Sequence, residues 1–169
     1  MSKFIKYAVL SFVFALVGGL VHAQEKIAVI NLQGAILQSD FGKSEILKLE
    51  KSAAYSQLIS EFEGLRADLQ ALDTEAQANT AKWGAERVAE YNKQRQFLQA
   101  DLELNVKKRR ADQQAVIQSI YAAMGQKAQS ALGELIESES ITLLLAQEAV
   151  IHASPIHDLT SKLAEKLSK

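Results

Sequence analysis

The stretch SITLLLAQEAVIHASPIH, Ser140–His157, holds the only proline of the 169-residue chain and two of its three histidines. Its first part, ITLLLA (Ile141–Ala146), is apolar at successive positions. An extended strand of that composition presents apolar side chains on both faces and must be covered on both. AVIHA (Ala149–Ala153) fits a second short strand. Ser154-Pro155 then reads as a helix start, with Ser154 as cap, Pro155 in the first turn where its missing N–H is no loss, and Asp158 near the positive end of the dipole. Ile156, Leu159, Leu163 and Leu167 would form the apolar stripe of that helix. A strand covered on both faces needs a partner, and KIAVINL (Lys26–Leu32) has the same two-sided character. Ile27 and Val29 point one way, and Ala28, Ile30 and Leu32 the other.

Between the two strands the period changes. Leu58, Phe62, Leu65, Leu69, Leu72 and Ala76 are spaced 4, 3, 4, 3, 4, and Ile117, Ile120, Met124, Ala128, Ala131 and Leu135 are spaced 3, 4, 4, 3, 4. Such spacing marks helical seams, here flanked by good helix formers. With no proline from Gln24 to Ser154, the simplest arrangement is two long helices folded back on each other. The stripe fails in ANTAKWGAERV (Ala78–Val88), so the hairpin tip is placed near residues 79–86. Gly64, Gly125 and Gly133 fall inside the arms and read as bends.

The fold class is therefore α+β: a small body with strands, and a long antiparallel coiled-coil hairpin protruding from it. The body comprises residues 24–42 and 138–169, and the hairpin residues 43–137. A body of that size with no cysteine has no disulfide to hold it, and self-association is the remaining support. Ile27, Val29, Ile30, Ile141, Leu143, Leu144 and Leu145 are the expected core of a body whose strands are shared between subunits.

The chain opens MSKFIKYAVLSFVFALVGGLVHAQEK. Lys3 and Lys6 precede an apolar run from Tyr7 to Val21, and Val21-His22-Ala23 ends in the small Ala23 with the small apolar Val21 two places before it. This reads as a secretory signal peptide, residues 1–23, cleaved after Ala23; the run is shorter than the ~20 residues a spanning helix needs. Localisation outside the inner membrane follows as an expectation.

Without Lys3 and Lys6 the chain carries 17 basic and 20 acidic side chains, a net of −3. Residues 82–110 alone are +4, so the charge is dipolar. The densest basic run is Lys107, Lys108, Arg109 and Arg110. Four consecutive residues go right round a helix. They read either as a solvated segment or as a contact for anionic lipid, lipopolysaccharide or acidic polypeptide. Nucleic acid is a poor fit for an exported protein. Trp83 either closes the hairpin tip or touches a membrane or partner, and closing the tip is the favoured reading.

Catalytic and metal-binding patterns are weak. His152 and His157 have no matching cluster of ligands elsewhere, the glycines are mostly isolated, and no Gly-x-Ser-x-Gly is present. No cofactor, metal or enzymatic activity is expected.

The order of these features resembles the Skp (OmpH-like) family of periplasmic chaperones. The resemblance spans the mature chain and is most specific in K-I-A-V-I-N and in A-V-I-H-A-S-P-I-H-D-L-T. It implies a jellyfish-like homotrimer with a shared β-body and three helical tentacles. It also implies an ATP-independent holdase activity that keeps unfolded outer-membrane β-barrel proteins from aggregating in the periplasm. Lys107 to Arg110 would then meet the client, lipopolysaccharide or an anionic membrane surface. The slightly acidic mature chain departs from the family's basic character. The alternative reading is a structural or adaptor coiled-coil protein of the cell envelope.

Overall fold

The computed structural model describes residues 25–169, and the expected leader with its cleavage after Ala23 lies outside the described residues. The elements are β1 (Ile27–Ile30), α1 (Leu32–Gln38), α2 (Asp40–Glu50), α3 (Ala53–Asn79), α4 (Ala85–Ser138), β2 (Leu143–Ala146) and α5 (Thr160–Leu167). Short 3-10 turns occupy Thr80–Lys82, Gln147–Ala149 and Pro155–His157.

β1 and β2 pair in parallel, with Ile27 opposite Leu143 and Ile30 opposite Ala146. Parallel strands cannot be joined by a tight turn and need a long crossover. Here the crossover is everything from α1 to α4, so the long helices leave the body and return to it as one connection. The other edge of β1 is covered by the approach to α5, where the Leu159 N–H donates to the Val29 carbonyl at 3.0 Å. With both edges of β1 occupied, the second strand expected at Ala149–Ala153 has no place beside it. That segment is instead a 3-10 turn followed by irregular chain with Ile151 fully exposed.

The first strand is also shorter than KIAVINL suggests. Asn31 caps α1, its Oδ1 accepting from the Gly34 N–H at 2.7 Å. Ser39 is fully buried between α1 and α2; its hydroxyl donates to the Ile36 carbonyl at 2.6 Å and accepts from the Gly42 N–H at 3.2 Å. A side chain at position 42 would come within 2.5 Å of the Ile36 carbonyl oxygen, so the sharp α1–α2 corner requires glycine there.

The core lies where these pieces meet. Ala28 and Ile30 of β1, Ala35 and Ile36 of α1, Ile120 to Leu135 on one stripe of α4, and Leu159, Leu163 and Leu167 around α5 are buried together. Much of the base is thus packed within a single chain, and α1 and α5 supply the cover that β1 needs. Val29 and Ile30 are buried inside the chain, and Ile141 and Leu144 pack partly against its core. Leu145 is half-buried, while Ile27 and Leu143 remain 42% and 47% exposed.

The last helix begins later than Ser154. Pro155 opens only a 3-10 turn, and Ser154 makes no capping bond. Asp158 takes that role, its Oδ1 accepting from the Thr160 N–H at 2.8 Å. Ile156 is consequently 83% exposed and lies off the stripe, whereas Leu159, Leu163 and Leu167 are buried as the spacing predicts. At the end of α4, Glu139 accepts from Lys26 and Lys162, each at 2.6 Å. The Lys162 and then the Lys26 hydrogen bonds pull its carboxyl down to about 2. One side chain thereby ties the start of β1 and α5 to the end of the long helix. The next residue, Ser140, turns the chain with φ 54°.

The arms depart from two uninterrupted helices at one place. The first breaks between α2 and α3 at Lys51–Ser52, and the Ser52 hydroxyl accepts from the Tyr55 N–H at 3.2 Å to restart it. The glycines read as bends do not interrupt anything. α3 runs through Gly64, and the 54-residue α4 runs through Gly125 and Gly133. A 54-residue helix is ~80 Å long at 1.5 Å per residue, far beyond the body it returns to.

Candidate functional site

The surface outside the body belongs mostly to α3 and α4. Of the α3 seam, Leu58, Phe62, Leu65 and Leu69 are half-buried, and only Leu72 and Ala76 are buried. Two helices cover each other along one narrow stripe and leave the rest in water.

At the far end, α3 stops at Asn79 and α4 starts after Gly84. Trp83 packs against Tyr91 with ring centroids 5.6 Å apart, and the Arg87 guanidinium lies 5.1 Å over the indole. Trp83 therefore closes the hairpin tip. Polar links carry the arms past it: Arg87 to Glu75 at 2.7 Å, the Tyr91 hydroxyl donating to Asp73 at 2.8 Å, and Arg95 Nε to the same carboxylate oxygen at 3.1 Å. The hydrogen bond to Asp73, reinforced by burial, raises the Tyr91 hydroxyl above its ordinary value.

Midway along the hairpin the seam turns polar. Tyr55 is buried, and its hydroxyl accepts from Gln113 at 2.6 Å. Asn105 is only 4% exposed. Its Nδ2 donates to the Leu58 carbonyl at 2.9 Å, while its Oδ1 accepts no hydrogen bond. The Arg109 guanidinium lies 5.0 Å over the Phe62 ring, and its Nε also lacks a partner. The apolar stripe Ile117–Leu135, extended backwards in steps of four and three, passes through Gln113, Arg109, Asn105, Leu102 and Leu98. That periodicity carried the signal for this polar layer, but only the partner helix shows that Asn105 is buried and Arg109 partly covered.

The basic run is split by the same geometry. Arg109 turns into the seam. Lys107 pairs with Glu103 along its own helix at 2.6 Å, which lowers the Glu103 carboxyl. Lys107, Lys108 and Arg110 are exposed; Lys107 and Arg110, three residues apart, share one side of the helix, and Lys108 is turned about 100° from Lys107. The histidines do not converge. His157 Nδ1 lies 3.1 Å from the Ile27 carbonyl and acts as a donor to the start of β1, while His152 is exposed. Among the described residues, no group of three or more His, Cys, Asp or Glu side chains could hold a metal ion, and no helix is long and apolar enough to cross a membrane.

Comparison with known proteins adds three findings. The sequence profile of a family described as outer membrane protein (OmpH-like) matches residues 26–167. A Skp-like protein of Pseudomonas aeruginosa (strain PAO1) is 28% identical over 152 residues, covering 87% of this chain and 86% of its own length. A crystal structure of an OmpH-like outer membrane chaperone candidate from Caulobacter crescentus CB15 aligns at 18% identity with a TM-score of 0.47, covering 86% of this chain and 85% of the other.

Proposed function

This chain belongs to the OmpH-like family of outer membrane proteins, and on that premise we propose that it is a periplasmic, ATP-independent holdase for unfolded outer-membrane β-barrel proteins. The observation that carries the reading is the hairpin itself. It projects far from the body, its seam is thin and partly polar, and it keeps Ile59, Phe97 and Leu104 at 36%, 60% and 51% exposure. Large apolar side chains on a long exposed scaffold can hold an apolar client by many weak, non-directional contacts. No step in such holding requires hydrolysis.

The reading includes assembly as a homotrimer through the body. Ile27, Leu143, Ile151 and Ile156 are apolar and exposed on the single chain, and the outer edge of β2 carries no strand in the described chain. Covering such a surface with further copies would bury apolar area and satisfy a free strand edge. Lys107, Lys108 and Arg110 are the exposed cations proposed to meet lipopolysaccharide or an anionic membrane surface, with Arg109 held back on Phe62.

The test is to dilute a urea-denatured outer-membrane barrel protein into buffer containing the mature chain without nucleotide. Light scattering and the mass of the soluble complex are then followed. Suppressed scattering, with three copies per client, is the expected result. Full aggregation in the presence of folded mature chain would refute the holdase reading.

A further inference from the structure

Two hollows open along the hairpin, of about 420 Å³ and about 500 Å³, and they share Asp68. Their walls repeat every seven residues. The α3 rim passes through Glu61, Asp68 and Glu75, and the α4 rim through Gln94, Asp101 and Lys108. The floor repeats in the same way: Leu65 and Leu72 come from α3, Leu98 and Asn105 from α4. Phe97 and Leu104, also seven apart, are the half-exposed apolar walls. Gly64 and Ala71 hold equivalent positions on α3, and a side chain built at Gly64 would meet nothing within 4 Å. Seven helical residues advance ~10.5 Å, so the hollows are consecutive segments of one groove about 20 Å long.

We propose that this groove docks a cationic amphipathic segment of an unfolded polypeptide, laid along α3 and α4 as a third helix with its apolar residues on the floor and its Lys or Arg side chains over the rims. The proposal rests on the holdase reading and deepens it by naming the class of client segment captured. A helix placed in a groove offers anchors every third or fourth residue, which matches a floor and rims that repeat by heptads.

Charge selects the occupant. Glu61, Asp68 and Asp101 form no salt bridge among the described residues, Glu75 shares its carboxylate with Arg87, and the rims carry one cation, Lys108. An acidic segment would set carboxylate against carboxylate, whereas Lys or Arg would neutralise them. The floor points the same way. Asn105 lines that floor at 4% exposure with an Oδ1 that accepts no hydrogen bond, so the floor sets no cation against an incoming Lys or Arg. This preference is opposite to that expected of the basic run, of which only Lys108 lines the groove.

The experiment uses the full mature chain and two fluorescein-labelled peptides of about fourteen residues, long enough to span the groove as a helix. One repeats leucine and lysine in heptads, and the other has glutamate in place of every lysine. Fluorescence anisotropy should show the lysine peptide binding roughly tenfold or more tighter at low salt, with the advantage shrinking as salt rises. Asp68 and Asp101 are exposed, so the double variant Asp68→Lys/Asp101→Lys should keep its helical circular dichroism and lose that preference. Gly64→Leu, which fills the groove and favours helix, should weaken lysine-peptide binding without changing charge. Equal binding of the two peptides, or a preference unchanged in the double variant, would overturn the proposal. The barrel-aggregation assay runs alongside. Suppression without a lysine preference sinks the groove alone, whereas lysine-peptide binding without suppression sinks the holdase reading and supports the groove.

Discussion

Replacing Asn105 by leucine should strengthen the hairpin. The wild-type amide is buried in the seam with one hydrogen bond, Nδ2 to the Leu58 carbonyl at 2.9 Å, and an Oδ1 that has none. Leaving a buried acceptor unmade costs about 1–3 kcal/mol, and the one bond that is made contributes about 0.5–1.5 kcal/mol. Leu58 sits inside α3, so its carbonyl keeps the ordinary helical acceptor role when the amide is removed. Leucine also adds apolar burial against Leu58 and Leu65, worth on the order of 1 kcal/mol. The balance favours leucine by about 1–2 kcal/mol. Trp83 is the only tryptophan and sits at the hairpin tip, so its fluorescence in a urea titration reads the arms. With a slope of about 1–3 kcal/mol per molar urea, the midpoint should rise by about 0.5–1 M. Asn105→Ala, which leaves a void, should gain less than leucine. An unchanged or lower midpoint for Asn105→Leu would mean that the orphan acceptor does not weaken the seam, and the reasoning would fail.

Leu163 of α5 is fully buried in the core that α5 shares with α1 and α4, so Leu163→Ala should destabilise the base by about 2–5 kcal/mol, read by circular dichroism in urea; a loss under 1 kcal/mol would contradict a core built within the chain. Ser140 turns the chain at φ 54°, and Ser140→Gly should stabilise it by about 0.5–1 kcal/mol, raising the melting temperature where a drop would disprove the account. Glu139 has a folded-state carboxyl near 2 against an ordinary 4.5. Its contribution is therefore present above pH 4.5 and lost as pH falls toward 2. Glu139→Gln should melt lower than wild type at neutral pH, and the difference should close through that acid window. A gap that stays constant from pH 6 to pH 2 would rule out this carboxylate as the clamp.

Local chemistry was legible where it depends on neighbours in sequence. The stripe Ile120, Met124, Ala128, Ala131 and Leu135 is buried as its spacing predicts, because α4 presents every third or fourth residue to the same side. Leu159, Leu163 and Leu167 behave likewise. The α1–α2 corner was missed, although Asn31-x-x-Gly34 and Ser39-x-x-Gly42 carried capping signals. The apolar look of KIAVINL masked them. The hollows along the hairpin were missed as well: a heptad of small residues at Gly64 and Ala71 reads as weak helix until the opposite arm leaves its side open.

By itself the sequence determined the kinds of element and where they lie: two short apolar strands at the ends, long helices between them, a tip around Trp83 and a final amphipathic helix. Those follow from periodicity and backbone preference, which are properties of adjacent residues. Only the tertiary structure decided which side of each element is used. It put Arg109 on Phe62 while leaving Lys107 and Arg110 in water, buried Asn105 with an acceptor unmade, left Ala149–Ala153 as a turn and irregular chain where a strand was expected, and aligned Glu61, Asp68 and Asp101 above one mostly apolar floor. Burial and electrostatics act between residues brought together across many positions of chain, so their outcome depends on the packing and cannot be assigned to any segment alone.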